Sequence, residues 1–355
     1  MFSKIETYIV EVIRGQRRGF LIKPVLRLFS FFYGAAVFLR NWAYDHRCFK
    51  IFRPPVTVIS IGNIVAGGTG KTPTVMLCAQ AFANKYKVAV LSRGYRSQAG
   101  KIPAIVADGR DVQLCGDEPC LLKENLTEAM VIVGRDRARS ALLAKERGAD
   151  LVILDDGMQH RRVARDFEVV VVDGKDPFGQ GKFLPAGFLR ENGKALGRAD
   201  LIVVNHSEGT AEVKEQLSSF SKAPMAATQM KIRVAFDLAT SEKVHLRGQK
   251  VAAFCGIANP KRFVETLEKE GAEVVDILVC PDHKSADPAA LKKFSEHCRG
   301  LGAKTLVCTE KDKVKILDTT LACLPIAWVQ AELTFVDDES QKQWDSFVNK
   351  VVTFL

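Results

Sequence analysis

The sequence has no C-x-x-C pair, and its nine cysteines show no metal-ligand spacing; Cys115 and Cys120 stand five apart. That excludes a zinc ribbon or a thioredoxin-type redox pair and leaves the reduced, buried thiols of a cytosolic chain. A spanning segment is also missing from the N-terminal region. Its longest uncharged run, Leu28 to Leu39, has twelve residues, against the roughly 20 needed to cross a bilayer. No compact apolar stretch followed by small residues marks a cleavable signal peptide. There is no internal repeat and no low-complexity linker. The net charge is +10, yet the body of the chain is nearly balanced: residues 1–53 alone hold ten Lys or Arg against three Asp or Glu. A nucleic-acid ATPase carries its basic charge along a groove of the folded body, so nucleic acid is not expected as a partner.

The basic segment is also rich in aromatics. Phe31, Phe32, Phe38 and Trp42 lie among Arg27, Arg40, Arg47 and Lys50. The pattern fits a helix in the plane of a membrane surface, aromatics in the acyl boundary and arginines on anionic headgroups. A helix packed on the body, with snorkelling arginines, is the competing reading.

From Pro54 onward, apolar runs alternate with helical stretches. VTVISIG, KVAVLSRG, AMVIVG, DLVILDDG, FEVVVVDG and ADLIVVNH read as strands, with helices between the first four. Runs that are apolar throughout belong to strands covered on both faces. After about Ala227 the alternation restarts with KIRVAFDLA, QKVAAFCGI, VVDILVCPD and KTLVCTEKD. The expected fold is α/β: a P-loop-type parallel sheet flanked by helices (54–227), a second, smaller α/β lobe (228–355) and an N-terminal membrane-associating helical region (1–53). A cleft between the lobes is a natural ligand site.

The chemistry starts at GNIVAGGTGKTP, residues 62–73. A glycine-rich loop between a strand and a helix turns backbone N–H groups around phosphate oxygens, and the helix N-terminus adds positive potential. Gly67, Gly68, Thr69 and Gly70 form this cradle; Lys71 reaches the β- and γ-phosphates and Thr72 ligates Mg²⁺. Val65 stands where the strict phosphate-loop pattern has glycine; the strand–loop–helix context outweighs it. DLVILDDG ends a strand in Asp155 and Asp156, where such proteins hold the metal. Gln159, His160 and Arg161 follow and are expected to line the same crevice. CGDEP places Asp117 and Glu118 before a helix, as an N-cap with a first-turn acid or as a base with a metal contact; the residues alone leave both open. His283, in PDH, sits at a strand end, and Arg93, Arg96 and Arg190 occupy loops after strands, where guanidinium groups suit phosphate.

Taken in order, GNIVAGGTGKTP, LSRGYRS, GDEP, DDGMQHR, LPAGFLRE, FCGIANPKRF, PDH and TEKD resemble the tetraacyldisaccharide 4'-kinases of Gram-negative lipid A synthesis. The resemblance implies transfer of the ATP γ-phosphate to the 4'-hydroxyl of a tetraacylated disaccharide 1-phosphate, with Mg²⁺, at the cytoplasmic face of the inner membrane and without an obligate protein partner. It further implies that Asp117 is the base with His283 as its partner. Glu118, Asp155 and Asp156 would lie at the metal, and Arg190 at phosphate or substrate. Met158, Phe188 and Lys284 depart from the family pattern and bear on acyl-chain preference and cleft shape. The competing class is a membrane-associated P-loop GTPase or ATPase regulator. Against it, NHSE at 205–208 lacks the lysine and aspartate of the guanine-reading N-K-x-D element, and Ala66 replaces the signature lysine of the regulators.

Overall fold

The computed structural model describes residues 2–94, 102–106, 115–207, 209–257, 259–280, 287–313, 316 and 322–355; Arg96, His283 and Lys284 lie outside them. Helix α1 (Phe2–Ile13) and the longer α2 (Ile22–Asp45) precede the sheet. The strands are β1 (Thr57–Gly62), β2 (Val88–Ser92), β3 (Ala104–Ile105), β4 (Met130–Val133), β5 (Leu151–Asp155), β6 (Phe167–Asp173) and β7 (Leu201–Asn205). They continue with β8 (Met225–Asp237), β9 (Lys243–Val244), β10 (Lys250–Cys255), β11 (Glu273–Val279), β12 (Thr305–Thr309) and β13 (Ile326–Phe335). All ten apolar runs read from the sequence form strands.

One sheet holds them in the order β11-β10-β12-β13-β8-β7-β6-β1-β5-β2-β4-β3, with β9 beside β8. Strands β4-β2-β5-β1-β6-β7-β8 pair in parallel, and so do β11-β10-β12-β13; the antiparallel β8–β13 ladder joins the two blocks. The first block contains β1 and the phosphate loop, the second is the smaller, and both belong to one continuous sheet. Strand β8 starts at Met225, six residues before the apolar run that announced it, and position 227/228 falls inside it. MAATQM has no β-branched run and pairs through its backbone with β7 and β13, so composition gave no warning.

Helices cover both faces, which is why the central strands are buried along nearly their whole length. Ile59, Ile61, Val90 and Ile153 face α3 (Lys71–Ala83) and α4 (Asp117–Asn125), meeting Val75, Phe82 and Leu122. Val58, Leu91, Val152 and Leu154 face α5 (Arg137–Glu146) through Ala141 and Ala144. Beyond α6 (Ala211–Leu217) the second block carries α7 (Pro260–Lys269), α8 (Pro288–Gly300) and the short α9 (Glu310–Lys313). The last helix, α10 (Asp338–Phe354), returns to the first block, where Trp344, Phe347 and Val351 join the core around Phe167 and Leu201. Seven cysteines are buried, and Cys48 and Cys323 are exposed.

Helix α2 is docked along the body by one stripe. Leu26, Ser30 and Val37 are buried. Ser30 Oγ donates to the Phe183 carbonyl at 2.8 Å and Asn41 Nδ2 to Glu191 at 2.7 Å. A side chain on Gly34 would approach Phe183 to 2.8 Å, so close packing there needs glycine. The opposite face exposes Leu28, Phe29, Phe31, Phe32, Phe38, Leu39 and Trp42.

Candidate active site

Strand β1 delivers the chain to the phosphate loop and α3 takes it away. Gly67 and Gly70 have φ of +116° and +89°, in the left-handed region open to glycine. Gly70 is doubly constrained, because a Cβ there would lie 2.1 Å from Asn205 Nδ2. That amide donates to the Thr69 carbonyl at 2.7 Å, while Asn205 Oδ1 accepts from the Thr228 hydroxyl. Asn63 Nδ2 donates to Thr69 Oγ1 at 2.8 Å. The loop is thus tied from β7, β8 and its own start, with Gly68 exposed at its tip and Lys71 and Thr72 opening α3.

Strand β5, beside β1, ends in the acid pair. Asp156 adopts φ +51° and turns its carboxylate to two cations: Arg190 Nη1 lies at 2.8 and 2.9 Å and Lys71 Nζ at 3.6 Å. Burial raises its pKa, but Lys71 and Arg190 outweigh burial and hold it below the ordinary carboxylate range. Asp155 is buried and accepts from Ser92 Oγ at 3.2 Å. Burial, then the charges of Glu118 and Asp156, push it up to about 6. Glu118 therefore belongs to the same acidic cluster. Gly116, not Asp117, is the N-cap of α4, so Asp117 and Glu118 both sit in its first turn.

The far end of α4 is held by the TEKD segment: Asn125 Nδ2 donates to Glu310 at 3.1 Å and Lys313 lies 3.7 Å from Glu124. Asp312 accepts from the Gly256 N–H at 3.1 Å and the Thr309 hydroxyl at 2.7 Å. Its carboxylate is a structural brace, and Asn205 is a loop clamp, so neither is placed to read a guanine.

Gln159 joins the crevice, donating to the Asn63 carbonyl at 2.8 Å and accepting from Arg190 at 3.3 Å. His160 lies among arginines: burial, then Arg137, Arg165 and Arg93, lower it to about 4. Arg161 does not line the crevice. It binds the Asn41 carbonyl at 3.1 Å and Asp45 at 2.6 Å, anchoring the end of α2. His283 lies outside the described residues. The sequence reading missed Asn63, Ser92, Arg137, Glu191, Asn205 and Thr228. Two had a visible signal: Asn63 directly follows β1, and Glu191 directly follows Arg190.

A second half-buried histidine, His206, has φ +62° and Nδ1 3.0 Å from Arg262 Nη1, while Arg262 also pairs with Asp173. Burial and Arg262 lower it to about 4. Both histidines are neutral in the fold, whereas the unfolded chain protonates near 6.5. Their contribution is therefore intact above pH 6.5 and lost as pH falls towards 4. After discounting for partial exposure, we expect a loss of about 2 kcal/mol between pH 7 and 5. Asp155 acts the other way, because its raised pKa makes the fold bind a proton first. The measurement is thus the difference in pH dependence of Tm between wild type and His160→Gln/His206→Gln. Parallel curves would contradict the assignment.

Among the described residues no three His, Cys, Asp or Glu converge as a closed metal cage. Mg²⁺ does not need one, since it keeps waters and binds one or two carboxylates plus substrate phosphates. The hard-oxygen set of Thr72, Asp155, Asp156 and Glu118 fits such a shared site, and a cation would offset the burial and the neighbouring acid charges that raise Asp155.

The family model for tetraacyldisaccharide-1-P 4'-kinase matches residues 22–352. The tetraacyldisaccharide 4'-kinase of Pelobacter propionicus is 38% identical over 347 residues, covering 95% of this chain and 96% of that protein. That of Halothermothrix orenii is 36% identical over 342 residues, covering 89% of each. The crystal structure of LpxK from Aquifex aeolicus in complex with ATP superposes with a TM-score of 0.71 at 29% identity, over 91% of this chain and 98% of that one. With the phosphate loop, acid pair and arginine in one crevice and these matches running through nearly the whole length, the chain belongs to the tetraacyldisaccharide-1-P 4'-kinase family.

Proposed function

We propose that this chain transfers the γ-phosphate of ATP to the 4'-hydroxyl of a tetraacylated glucosamine disaccharide 1-phosphate, making a bisphosphorylated lipid. The observation that carries the reading is the junction at residues 190–191. Arg190 holds Asp156 beside Lys71, and the adjoining Glu191 binds Asn41 on α2, whose outer face is aromatic. A nucleotide site is thereby fastened to a lipid-facing helix.

The P-loop N–H groups, Lys71, Arg93 and Arg190 bind and orient the phosphates. Thr72, Glu118, Asp155 and Asp156 would hold Mg²⁺, which would supply charge neutralisation at the transferring phosphate. Gln159 and His160 shape the crevice wall around Arg190. The acceptor oxygen attacks γ-phosphorus as the bond to the ADP oxygen breaks, and the hydroxyl proton passes to Asp117. His283 shares that charge as its partner. The second block, β10 to β13 with α7 to α9, closes over the first during this step and excludes water, while α10 stays in the first core; the β8–β13 ladder has to absorb the movement. A disulfide locking the two lobes is expected to stop turnover, and unchanged turnover would sink the closure.

Helix α2 is about 36 Å long at 1.5 Å per residue, so it is long and apolar enough to cross a membrane, although its uncharged run is shorter than a span. Its polar stripe is bound to the body from Ser30 to Asp45, which supports a helix lying at the surface. Burying each exposed phenylalanine contributes about 1.5–3 kcal/mol, and Arg27, Arg47 and Lys50 meet anionic headgroups. The protein is then a monotopic enzyme of the cytoplasmic face of the inner membrane. It needs no nucleic acid and no obligate protein partner.

The test is incubation in detergent micelles with Mg-ATP and the tetraacylated disaccharide 1-phosphate. A bisphosphorylated lipid is expected, and ATP hydrolysis without lipid product would overturn the reading. His283→Ala is expected to lower kcat about 100-fold with nucleotide affinity unchanged; an undiminished kcat would remove His283 from the mechanism.

A further inference from the structure

Glu191 is 0% exposed, and both its oxygens are occupied from three directions. Asn41 Nδ2, on α2, donates to Oε2 at 2.7 Å; Arg198 Nη1 and Nη2 donate to the same oxygen at 3.0 Å. Gln159 Nε2 donates to Oε1 at 3.2 Å, and Arg40, also on α2, lies 3.6 Å from it. The other end of the Gln159 amide accepts from Arg190 Nη1, which binds Asp156, which faces Lys71. Tyr33 of α2 touches the same segment, its hydroxyl 3.5 Å from the Arg190 carbonyl. An unbroken polar chain thus runs from the helix bearing the exposed aromatics to the cations of the phosphate site.

We infer that Glu191 is a positioning residue through which the seating of α2 sets the Arg190–Asp156–Lys71 cluster, so that lipid contact and nucleotide binding are coupled. The inference rests on the reading that the outer face of α2 meets lipid. Water has no access to a fully buried carboxylate, so a donor lost when α2 shifts cannot be replaced from solvent. The shortfall passes to Gln159 and Arg198. A shift of the Gln159 amide changes its hold on Arg190, and with it the charge presented by Asp156 and Lys71. A residue serving only to pack α2 would have no reason to share its carboxylate with the crevice wall. Coupling of this kind is reciprocal: whatever factor lipid imposes on nucleotide affinity, nucleotide imposes on lipid affinity.

The experiment uses the full chain and measures the Mg-ATP dissociation constant with and without vesicles of phosphatidylethanolamine and phosphatidylglycerol. Vesicles are expected to tighten Mg-ATP binding about fivefold in the wild type. In Asn41→Leu and Glu191→Gln the effect is expected to fall below about twofold, although both variants still sediment with the vesicles. Asn41→Ser, which keeps a small polar side chain, serves if leucine prevents folding. A wild type indifferent to vesicles, or variants that keep the full effect, would overturn the inference. Lipid phosphorylation is assayed in parallel. Product without a vesicle effect defeats the coupling alone, and a vesicle effect without product defeats the kinase reading alone.

Discussion

Lys71→Met is expected to lower kcat for lipid phosphorylation by about 1,000-fold, with little change in Tm. Lys71 is the first residue of α3, directly after the left-handed Gly70, so its stem leaves the loop in a direction the backbone dictates. Its ammonium lies 3.6 Å from Asp156, at the mouth of the phosphate cradle. Phosphoryl transfer places charge on the γ-oxygens, and a cation held there before the reaction acts where water is excluded. Methionine keeps the length and apolar stem but removes the charge. The fold should barely notice, because Asp156 keeps Arg190 at 2.8 Å. The check is single-turnover formation of the bisphosphorylated lipid at saturating nucleotide, beside a melting curve. Activity within tenfold of wild type would remove Lys71 from the chemistry.

Asp156→Asn is expected to separate binding from transfer. The carboxylate now restrains two cations, Arg190 and Lys71, that we propose also bind the nucleotide. Asparagine releases both, so metal-free ATP should bind several-fold tighter, by the loss of an intramolecular competitor. The same change removes an oxygen charge from the proposed Mg²⁺ site, and kcat with Mg²⁺ should fall by at least about 100-fold. Calorimetry with ATP in EDTA and turnover in Mg²⁺ read the two effects. If metal-free binding weakened instead, Asp156 would be supporting the cations rather than competing for them.

Much of the first block was legible because its signals are local. GNIVAGGTGKTP carries strand end, loop and helix start in twelve consecutive residues, and DLVILDDG carries a buried strand and its terminal acids in eight. The outer face of α2 was legible in part: the aromatics that the sequence marked, Phe31, Phe32, Phe38 and Trp42, are exposed. Its docked face was not, because Ser30, Tyr33 and Asn41 make that side more polar than the exposed one. This inverts the usual amphipathic rule. Arg161 was misplaced for a related reason, since nothing near it in sequence says that its partner is Asp45. Asn205 was weighed only as half of a guanine-reading element, while its actual partners, Thr69 and Thr228, lie 136 and 23 residues away.

By itself the sequence determined the α/β class, the phosphate loop, the acid pair and the basic aromatic segment, because strand burial, loop chirality and helix-terminus charge are properties of neighbouring residues. The tertiary structure alone decided that β8 joins two parallel blocks through an antiparallel ladder. It also decided that α10 returns to the first core, and that Glu191 stands between the aromatic helix α2 and the Arg190–Asp156–Lys71 cluster. These are pairings across the chain, and a carboxylate's partners are set by which surfaces the fold brings within about 3 Å of it, beyond the reach of any local pattern.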